Sequence, residues 1–493
     1  MEFKITGQAI VDILKANDLF ISSDSDFGGK IFQSITFNSK DAQSGTLFIC
    51  KGMGFKKEYL EDAITHGAEG FLSEEPMSVS VPGVITSNVR RAMSLVAKAF
   101  YGYQPGAFNL FGVTGTKGKS TTVYYLKNIL EYATGKKPAF LTTVDIFDGV
   151  EFAEATLTTP EAPTTYAYFA KAVANGCDNV VMELSSQADK MERLVGMEYQ
   201  YGIYINISDD HIAPNEHQDF EEYLGCKMNI VARYQKAVIN LDDAHSDCAL
   251  KAADGAEQVL TYSVHEDTGA DVYAKDIRRD GHKTRFTAVT PDWEYPMEII
   301  IPGVFNVGNA LGATAVAYMM GLEPEKIAKA VAVTQVDGRM NIYEKDGYIA
   351  IVDYAHNQAS IHAAYEALRD YYPDRKIQVV FGCPGCKAFQ RRRAMAEESA
   401  AFCDYIYITA EDPSYKDPME VSKEIEEYAV AAGGRCEIII DRKEAIETAI
   451  SRLKKDEILI IAGKGSEHYQ VVNGIAEPYE GDTVLAKRYI AQK

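Results

Sequence analysis

Short apolar runs alternate with amphipathic stretches along most of the chain. Runs such as residues 108–113 have the length and composition of strands buried on both faces, and stretches such as residues 123–130 have the spacing of helices. Strands that alternate with helices indicate a mostly parallel sheet covered by helices. The pattern therefore predicts an α/β protein.

The same pattern divides the chain into three predicted domains. Residues 1–106 are expected to form a small α/β domain that ends in a linker at 101–106, where Gly and Pro interrupt the pattern. Residues 107–335 are expected to form a central parallel-sheet domain, and residues 336–493 a Rossmann-like domain. The predicted strands and helices in these domains include 46–50, 57–66, 179–183, 201–207, 237–240, 348–352, 377–381, 391–401, 405–409, 419–430, 436–440, 443–453 and 457–462.

The segment 255–300 has a different character. It is rich in Thr, Tyr and Val, with turn residues between the short runs. This composition is typical of hairpins, so we expect antiparallel strands there.

Composition narrows the class of protein. The 493 residues are 46% apolar, which is ample for buried cores and typical of a soluble globular enzyme. The 50 basic and 71 acidic residues give a net charge of −21, which argues against a nucleic-acid or anionic-membrane partner. No apolar run approaches the roughly 20 residues of a membrane span, and the first residues lack a secretory pattern, so we expect a cytoplasmic protein.

Eight cysteines are scattered over the chain without the density of a disulfide scaffold. Cys383 and Cys386 have the Cys-x-x-Cys spacing of redox motifs and lie between a predicted strand and a predicted helix. A tight loop with two reduced thiols is the simpler interpretation, because nothing else in the sequence indicates thiol exchange.

One segment between a predicted strand and a predicted helix carries most of the chemical information. Its residues are Thr114, Gly115, Thr116, Lys117, Gly118, Lys119 and Ser120. Glycines let backbone N–H groups turn toward an anion, and the start of a helix adds partial positive charge. Lys119 can reach the terminal phosphates of a nucleotide, and the hydroxyl of Ser120 can bind Mg²⁺. The spacing departs by one residue from the usual P-loop, and a glycine turn with a solvated lysine is the alternative interpretation.

Polar residues also follow several other predicted strands. Ligands of parallel sheets bind at the carboxyl ends of the strands, so these residues are expected to border a cleft. They are Glu183, 210–211, 242–243, 353–356, 411–414 and 463–467.

Several motifs occur together in one order along nearly the whole chain. They are Thr-Gly-Thr-Lys-Gly-Lys-Ser-Thr-Thr (114–122), Leu-Thr-Thr-Pro-Glu (157–161), Met-Glu-Leu-Ser-Ser-Gln (182–187), Asp-His (210–211), Tyr-x-x-x-Lys (223–227), Asn309, Gly-Arg-Met (338–340) and Asp-Tyr-Ala-His-Asn (353–357). With these motifs the chain resembles the Mur ligase family, most closely its MurE type. The resemblance implies a ligase of peptidoglycan precursor synthesis that joins an amino acid to a UDP-linked muramoyl dipeptide. ATP would convert the terminal carboxylate of the peptide into an acyl phosphate, which the incoming amine attacks.

The resemblance implies catalytic roles for Lys119, Glu183, His211 and Lys227. Ser120, Glu183 and His211 would bind Mg²⁺, and Lys227 would carry CO₂ as a carbamate that faces the metal. A carboxylate is an ordinary ligand of Mg²⁺, whereas the histidine rests on the resemblance alone. A loop histidine bonded to its neighbouring aspartate and a lysine on a solvated helix face are the alternatives.

The resemblance also implies which residues hold the two nucleotide substrates. Around ATP, Asn309 would lie on the adenine side and Arg339 on the phosphate side, while Asp353 and His356 would reach across a cleft that closes. The residues that would hold the UDP-muramoyl dipeptide are Ser39, Thr158, Thr159, Ser185 and Arg193.

The third predicted domain would hold the amino acid through Arg392, Glu467, Gly463 and the loop Glu411, Asp412, Pro413 and Ser414. Family members that add meso-diaminopimelate carry an arginine where Ser414 stands. Its guanidinium makes two hydrogen bonds to the second carboxylate of that substrate. Acidic residues suit a distal ammonium, so we predict L-lysine, with L-ornithine and meso-diaminopimelate left open. We expect a monomer whose partners are its substrates.

Other classes of protein fit the sequence less well. A folylpolyglutamate synthetase shares the phosphate loop and the acyl-phosphate chemistry, but generally lacks a separate N-terminal domain such as residues 1–106. A non-catalytic scaffold would have lost Lys119, Glu183 or Lys227, all of which are present. A switch GTPase would need an Asn-Lys-x-Asp motif, which the sequence lacks.

Overall fold

The structure is a computed structural model that describes residues 2–52, 54–155, 157–208 and 216–493. Each predicted domain contains a larger sheet with helices packed on it, which confirms the α/β class. The predicted domain boundaries at 106 and 335 both fall between regular elements and stay predictions.

The first domain is a small sheet flanked by helices. Its elements are β1 (Ile5–Thr6), α1 (Gly7–Ala16), β2 (Phe20–Ser23), β3 (Ile31–Phe32), β4 (Ser34–Thr36), β5 (Thr46–Ile49), α2 (Lys57–Thr65), β6 (Ala68–Ser73), β7 (Gly83–Thr86) and α3 (Val89–Phe100). The sheet order is β2-β7-β6-β5-β4, with β2 antiparallel and the other pairs parallel. Helix α3 forms because its apolar residues recur every three or four positions, and Asn88 caps it by accepting from the N–H of Arg91 at 2.9 Å.

The central domain is built on a long mixed sheet. Its elements are β8 (Asn109–Thr114), α4 (Lys119–Thr134), β9 (Ala139–Leu141), β10 (Asp145–Phe147), β11 (Phe152–Glu154), α5 (Ala162–Ala174), β12 (Asn179–Leu184), α6 (Ser186–Lys190), β13 (Tyr199–Tyr204), α7 (Phe220–Val231), β14 (Tyr234–Asn240), α8 (Ser246–Ala252), β15 (Gln258–Ser263), β16 (Val272–Asp280), β17 (Lys283–Val289), β18 (Glu294–Ile299), α9 (Val304–Met319) and α10 (Pro324–Val333). The sheet order is β11-β10-β9-β12-β8-β13-β14-β15-β16-β17-β18.

The prediction of antiparallel strands over 255–300 is right for β16, β17 and β18 and wrong for β15. Strand β15 pairs in parallel with both β14 and β16. The reason is the connection, since helix α8 carries the chain back over the sheet and returns it in the same direction.

The third domain has the predicted alternation. Its elements are β19 (Asn341–Lys345), β20 (Tyr348–Asp353), α11 (Gln358–Tyr371), β21 (Lys376–Phe381), α12 (Gln390–Phe402), β22 (Tyr405–Ile408), α13 (Pro418–Ala431), β23 (Cys436–Ile438), α14 (Arg442–Arg452), β24 (Glu457–Ala462), β25 (Tyr469–Val472), β26 (Ile475–Pro478) and α15 (Asp482–Ile490). The sheet order is β19-β20-β24-β21-β22-β23, and its strands are parallel except β19. Strand β19 and the hairpin β25–β26 were not predicted.

Helix α9 is a buried helix that supports the central sheet. Its residues 306–317 are all buried, and it packs against α4 and against strands β14 and β15. Many of these residues are Ala or Gly, which lets the helix lie close to the sheet. The carboxyl ends of β12, β8, β13 and β14 lie at one edge of the sheet because these strands are parallel.

Within the segment 101–106, predicted as a linker, Tyr103 packs against the central domain while residues 102 and 104–106 are exposed. The ring of Tyr103 is buried and lies 5.9 Å from Phe108, 5.5 Å from Tyr166 and 5.4 Å from Phe169, between ring centres. One apolar core joins the first and central domains, and another joins the central and third domains. Within the described part of the chain, no helix has both the length and the apolar composition to cross a bilayer.

Candidate active site

The phosphate loop connects β8 to α4 at the carboxyl edge of the central sheet. It turns at Gly118, whose φ of +86° is a left-handed conformation that glycine adopts without strain. The side chain of Asn206, after β13, accepts hydrogen bonds from the N–H groups of Thr116 and Lys117, both at 3.0 Å. The loop is thereby fixed to the neighbouring strand, with the N-terminus of α4 facing it.

The ammonium of Lys119 lies over this loop. It donates to the carbonyl oxygens of Gly115 at 2.8 Å and Thr116 at 3.1 Å. The flexible stem of a lysine lets the same ammonium reach a phosphate placed in the loop. The position fits the predicted contact with the terminal phosphates.

Gly118→Ala is expected to weaken ATP binding at least about tenfold, from left-handed strain and steric overlap together. A Cβ at this position would lie 2.4 Å from Asn309 Oδ1, so the loop or the side chain of Asn309 would have to move. Gly135→Ala, at the other end of α4, is the matched control, because its φ of +73° carries the same strain with no atom within 4 Å of the added Cβ. Titration calorimetry with ATP measures the difference. Equal ATP affinity in Gly118→Ala and the wild type would contradict this loop geometry.

Oxygen atoms gather beside the loop around Glu183, the last but one residue of β12. Ser120 Oγ donates to Glu183 Oε1 at 2.7 Å. The N–H of Thr143 donates to the same oxygen at 2.9 Å, and Thr143 Oγ1 donates to Glu183 Oε2 at 3.1 Å. Hydroxyl and carboxylate oxygens are the ligands that Mg²⁺ prefers, so Ser120 and Glu183 fit the predicted metal.

Few protein ligands are available for that metal. Among the described residues, no group of three or more His, Cys, Asp or Glu could hold an ion by itself. Mg²⁺ commonly takes one or two protein ligands and completes its shell with substrate phosphates and water. Ser120 and Glu183 fit a metal shared in this way with a nucleotide.

Lys227 lies on α7 and is buried, with 1% of its surface exposed. The solvated helix face considered as its alternative is therefore wrong. Its ammonium lies 5.0 Å from the ring centre of Tyr223, and the hydroxyl of Tyr223 lies 2.7 Å from Thr116 Oγ1 in the phosphate loop. Lys227 is thus one helical turn from a direct contact with the loop. His211, predicted to bind metal, lies outside the described residues.

A cavity of about 590 Å³ extends from the phosphate loop to the third domain. The predicted nucleotide residues Asn309, Arg339, Asp353 and His356 all line it. Asn309 is buried on α9 and accepts a hydrogen bond from Thr122 Oγ1 at 3.3 Å. The volume lies within the range of cofactor and nucleotide pockets.

The third-domain wall of this cavity is held by Asp353. Its carboxylate accepts from the N–H of Met340 at 2.9 Å and from the N–H of Ala355 at 2.8 Å. Burial raises the pKa of Asp353, and the guanidinium of Arg339 acts in the opposite direction. These bonds join the segment that carries Arg339 to the segment that carries His356.

Three of the residues predicted to hold the muramoyl dipeptide, Thr158, Thr159 and Ser185, lie beside β12 and are called the strip below. Thr158 Oγ1 lies at hydrogen-bond distance from Thr143 Oγ1, 3.1 Å away. Thr159 Oγ1 donates to the carbonyl of Glu183 at 2.8 Å and accepts from the N–H of Ser185 at 3.0 Å. The strip is therefore hydrogen-bonded to the strand that carries Glu183.

Arg193 extends this strip to the first domain. It donates to the carbonyl of Thr159 at 3.1 Å and pairs with Glu161 at 3.2 Å, and Glu161 also pairs with Lys51 of the first domain at 2.8 Å. Burial lowers the pKa of Arg193 although Glu161 opposes the shift. Ser39 lies in the first domain, within a short 3₁₀ turn.

The third domain contains a cluster of charged side chains around Lys464, with Glu411, Asp412 and Glu467, which we call the acidic pocket. The ammonium of Lys464 lies 2.9 Å from Asp412 Oδ1 and 2.5 Å from Glu467 Oε2. Burial raises the pKa of Glu411 to about 7, against the lowering effect of Arg442. With these three carboxyl groups around one lysine, the pocket attracts a cation when Glu411 is ionised.

The positive charge of Arg442, which acts on Glu411, is also shared with Asp482. Arg442 is fully buried and makes two hydrogen bonds to Asp482, at 2.8 and 2.7 Å. Gly463 allows Glu411 to lie close to the backbone, because a Cβ on Gly463 would be 3.0 Å from Glu411 Oε2. Gly463 also has a φ of +113°, which favours glycine.

The remaining predicted residues of this pocket have partners within the protein. Ser414 has a φ of +53°, and its N–H donates to the carbonyl of Val471 in β25 at 2.8 Å. Just before it, Pro413 lines a second cavity of about 640 Å³ with Ser414.

Arg392 pairs with Glu424 and donates to the carbonyl of Gly385 at 2.6 Å. Its buried Nε has no hydrogen-bond partner within the described ranges, so one N–H of this predicted carboxylate contact is available.

Cys383 is buried and Cys386 is exposed, and both are free thiols. Burial raises the pKa of Cys383 well above its usual value. A thiol that keeps its proton is a poor nucleophile, which favours the interpretation of two reduced thiols in a loop.

Thr143 and Asn206 are residues near these groups that sequence reasoning missed, and Lys464 was predicted only as one of the strand-end residues 463–467, without a role of its own. Thr143 and Asn206 follow strands β9 and β13, so the strand-end rule that identified Glu183 applies to them too. Lys464 lies between two glycines after β24, and this order of glycine and lysine after a strand is similar to that of the phosphate loop.

Two protein-family models match the sequence. The Mur ligase middle domain matches residues 113–317, and the Mur ligase, glutamate ligase domain matches residues 338–465. The chain is 35% identical over 503 residues to the UDP-N-acetylmuramoyl-L-alanyl-D-glutamate--L-lysine ligase of Enterococcus faecalis, covering 98% of this chain and 99% of that one. It is also 35% identical over 508 residues to the UDP-N-acetylmuramyl-tripeptide synthetase of Lactobacillus delbrueckii subsp. bulgaricus, covering 97% and 98%.

The fold is similar to that of a solved UDP-N-acetylmuramoyl-L-alanyl-D-glutamate--2,6-diaminopimelate ligase. The TM-score is 0.67 at 25% identity, over 100% of this chain and 99% of the solved chain. The similarity therefore includes the first domain as well as the two that the family models match.

Proposed function

The chain belongs to the Mur ligase family, and on that premise we propose that it adds L-lysine to UDP-N-acetylmuramoyl-L-alanyl-D-glutamate with hydrolysis of ATP to ADP. It is an enzyme, an acid–amino-acid ligase. The product is a UDP-muramoyl tripeptide, a cytoplasmic precursor of peptidoglycan.

One arrangement supports this function most directly. Thr143 Oγ1 lies 3.1 Å from Thr158 Oγ1 and 3.1 Å from Glu183 Oε2. Thr158 belongs to the strip proposed to hold the dipeptide, and Glu183 belongs to the site proposed for Mg²⁺. A carboxylate held by the strip would therefore lie beside the terminal phosphate of ATP. Positioning of this kind supplies most of the catalysis in phosphoryl transfer.

The chemistry follows in two steps. An oxygen of the terminal carboxylate attacks the γ-phosphorus, the bond to ADP breaks, and an acyl phosphate forms. The α-amine of lysine then attacks the acyl carbon and loses a proton, and inorganic phosphate leaves. Lys119 stabilises the negative charge on the phosphates during the first step. Mg²⁺ bound at Ser120 and Glu183 would supply further charge neutralisation.

Two finer statements belong to the same proposal. Lys227 carries CO₂ as a carbamate, because a buried ammonium near Mg²⁺ would be repelled whereas a carbamate is attracted. The protein acts as a monomer in the cytoplasm, where nucleotide-linked precursors are made. Incorporation of ¹³C-bicarbonate, observed by carbon NMR and absent in Lys227→Ala, tests the carbamate directly.

L-Lysine is the amino acid that the acidic pocket favours. The carboxyl groups of Glu411, Asp412 and Glu467 surround Lys464 and suit a distal ammonium. Ser414 has no charge with which to bind the second carboxylate of diaminopimelate. Relatives named for lysine addition cover nearly the whole chain, which agrees with this choice.

Phosphate release tests the proposed reaction. Purified protein with Mg²⁺, ATP and the UDP-muramoyl dipeptide is assayed with L-lysine, L-ornithine or meso-diaminopimelate, and mass spectrometry identifies the product. We expect a tripeptide with lysine as the best substrate. Preference for diaminopimelate would contradict the argument from Ser414, and ATP hydrolysis triggered by folate but not by the dipeptide would favour the folylpolyglutamate synthetase class.

Binding of L-lysine is expected to strengthen about tenfold from pH 6 to pH 8, the change in ionised fraction of a group with a pKa near 7. Burial raises the pKa of Glu411 to about 7, so its carboxyl is mostly protonated at pH 6 and mostly ionised at pH 8. Only the ionised form attracts the distal ammonium, which stays charged over this range. Calorimetry with Mg-ADP bound measures the dissociation constant. Glu411→Gln should lose the pH dependence, and a variant that keeps it would contradict the assignment to Glu411.

A further inference from the structure

Tyr354 lies where the nucleotide cavity meets the acidic pocket. It follows Asp353 at the end of β20 and lines the cavity. The centre of its ring is 4.4 Å from the guanidinium carbon of Arg339 and 4.7 Å from the ring centre of His356. Arg339 and His356 are both proposed to contact ATP. The ring of Tyr354 therefore faces the nucleotide side.

The hydroxyl of Tyr354 reaches the acidic pocket. It donates to Glu467 Oε1 at 3.2 Å, and Oε2 of the same carboxylate lies 2.5 Å from the ammonium of Lys464. Lys464 in turn pairs with Asp412 at 2.9 Å. Burial, and then the charge of Glu467, raise the pKa of Tyr354, so its hydroxyl keeps its proton and acts as the donor.

The backbone around Tyr354 leaves little room for independent movement. The N–H of Tyr354 donates to the carbonyl of Gly338 at 2.8 Å. A Cβ on Gly338 would lie 2.3 Å from the backbone nitrogen of Ser466, and a Cβ on Gly465 would lie 3.0 Å from the Cβ of Tyr354. The segments that carry Arg339, Tyr354 and Glu467 are therefore in direct contact, and a shift of one displaces the others.

We propose that Tyr354 is a positioning residue that couples nucleotide binding to amino-acid binding, an inference that rests on the proposed function. When Arg339 engages the phosphates, the ring of Tyr354 is fixed against it. The hydroxyl then holds Glu467 in the orientation that receives the amino acid. Because such coupling is reciprocal, the amino acid also strengthens nucleotide binding. The amine is thus held in place when the acyl phosphate forms.

Tyr354→Phe tests the coupling, because it removes the hydroxyl and keeps the ring over Arg339. The KM for L-lysine should rise about tenfold, as expected for loss of a hydrogen bond to a charged group, while kcat and the affinity for Mg-ADP stay within about twofold. Calorimetry should also show that Mg-ADP no longer strengthens lysine binding. Tyr343→Phe, on β19 of the same domain, is the matched control. It should leave the KM for L-lysine, kcat, the affinity for Mg-ADP and the effect of Mg-ADP on lysine binding unchanged.

A double-mutant cycle separates this role from a merely structural one. The effects of Tyr354→Phe and Glu467→Ala on the KM for lysine should be non-additive, because both remove the same hydrogen bond. Additive effects would overturn the inference, as would an unchanged KM or a parallel loss of nucleotide affinity, lysine affinity and melting temperature in Tyr354→Phe. If the wild type forms no lysine tripeptide, the proposed function fails and the inference with it. If the wild type forms the tripeptide and Tyr354→Phe behaves identically, only the inference fails.

Discussion

Lys227→Ala is expected to lower turnover by about a thousandfold, the scale of losing a group that stabilises transition-state charge. Lys227 is buried on α7, one helical turn from Tyr223, whose hydroxyl contacts Thr116 of the phosphate loop at 2.7 Å. The proposed carbamate would place an anion beside the metal, and alanine can form no such adduct. Added bicarbonate should therefore fail to restore activity. Steady-state phosphate release with saturating substrates measures the loss.

Two further variants test whether the carbamate or only the positive charge of Lys227 is needed. Lys227→Arg keeps a buried cation but cannot react with CO₂, so it should lose as much activity as Lys227→Ala. Lys251→Ala, on the exposed face of α8, should behave as the wild type. Melting temperature and ATP affinity show whether the variants fold. Activity near the wild-type level in Lys227→Arg would contradict the carbamate and leave only a role for positive charge.

Lys119→Ala is expected to lower kcat by about 10²–10³, because one preorganised donor to the developing phosphate charge is lost. The ammonium of Lys119 lies over the phosphate loop, at 2.8 Å from the carbonyl of Gly115. No other change is expected in the loop backbone, since Asn206 fixes it independently through the N–H groups of Thr116 and Lys117. Single-turnover formation of ADP measures the chemical step.

Lys136→Ala is the matched control, just beyond the other end of α4. Lys136 is exposed and pairs with Asp178 at 2.7 Å, a surface ion pair that contributes little to stability. It should leave kcat unchanged. If Lys119→Ala retained wild-type kcat while ATP still bound, the assignment of Lys119 to the terminal phosphates would be wrong.

The phosphate loop could be predicted because its chemistry depends on local order. Glycines, a lysine and a serine at fixed spacing, between an apolar run and a helix, determine the turn and the groups that face an anion. The structure places Gly118 in the left-handed conformation and starts α4 at Lys119, as that order requires. The regular alternation after residue 336 likewise predicted five of the six strands of the third sheet, all except β19.

Thr143, Asn206 and Lys464 could not be assigned in the same way. Thr143 and its partner Glu183 are 40 positions apart in the sequence. Asn206 and Thr116 are 90 positions apart, and Lys464 and Asp412 are 52 positions apart. No local spacing records such pairs. The hairpin β25–β26 is a different case, because its two-residue turn, Asn473 and Gly474, is a local hairpin signal that the prediction did not use.

By itself the sequence determined the α/β class, the phosphate loop and the family resemblance, because periodicity and motif spacing are properties of neighbouring residues. Only the tertiary structure decided that Lys227 is buried, that burial raises the pKa of Glu411 to about 7, and that the hydroxyl of Tyr354 contacts Glu467. Desolvation and charge interaction depend on distance through space, and that distance is set by how separate strands and helices pack together.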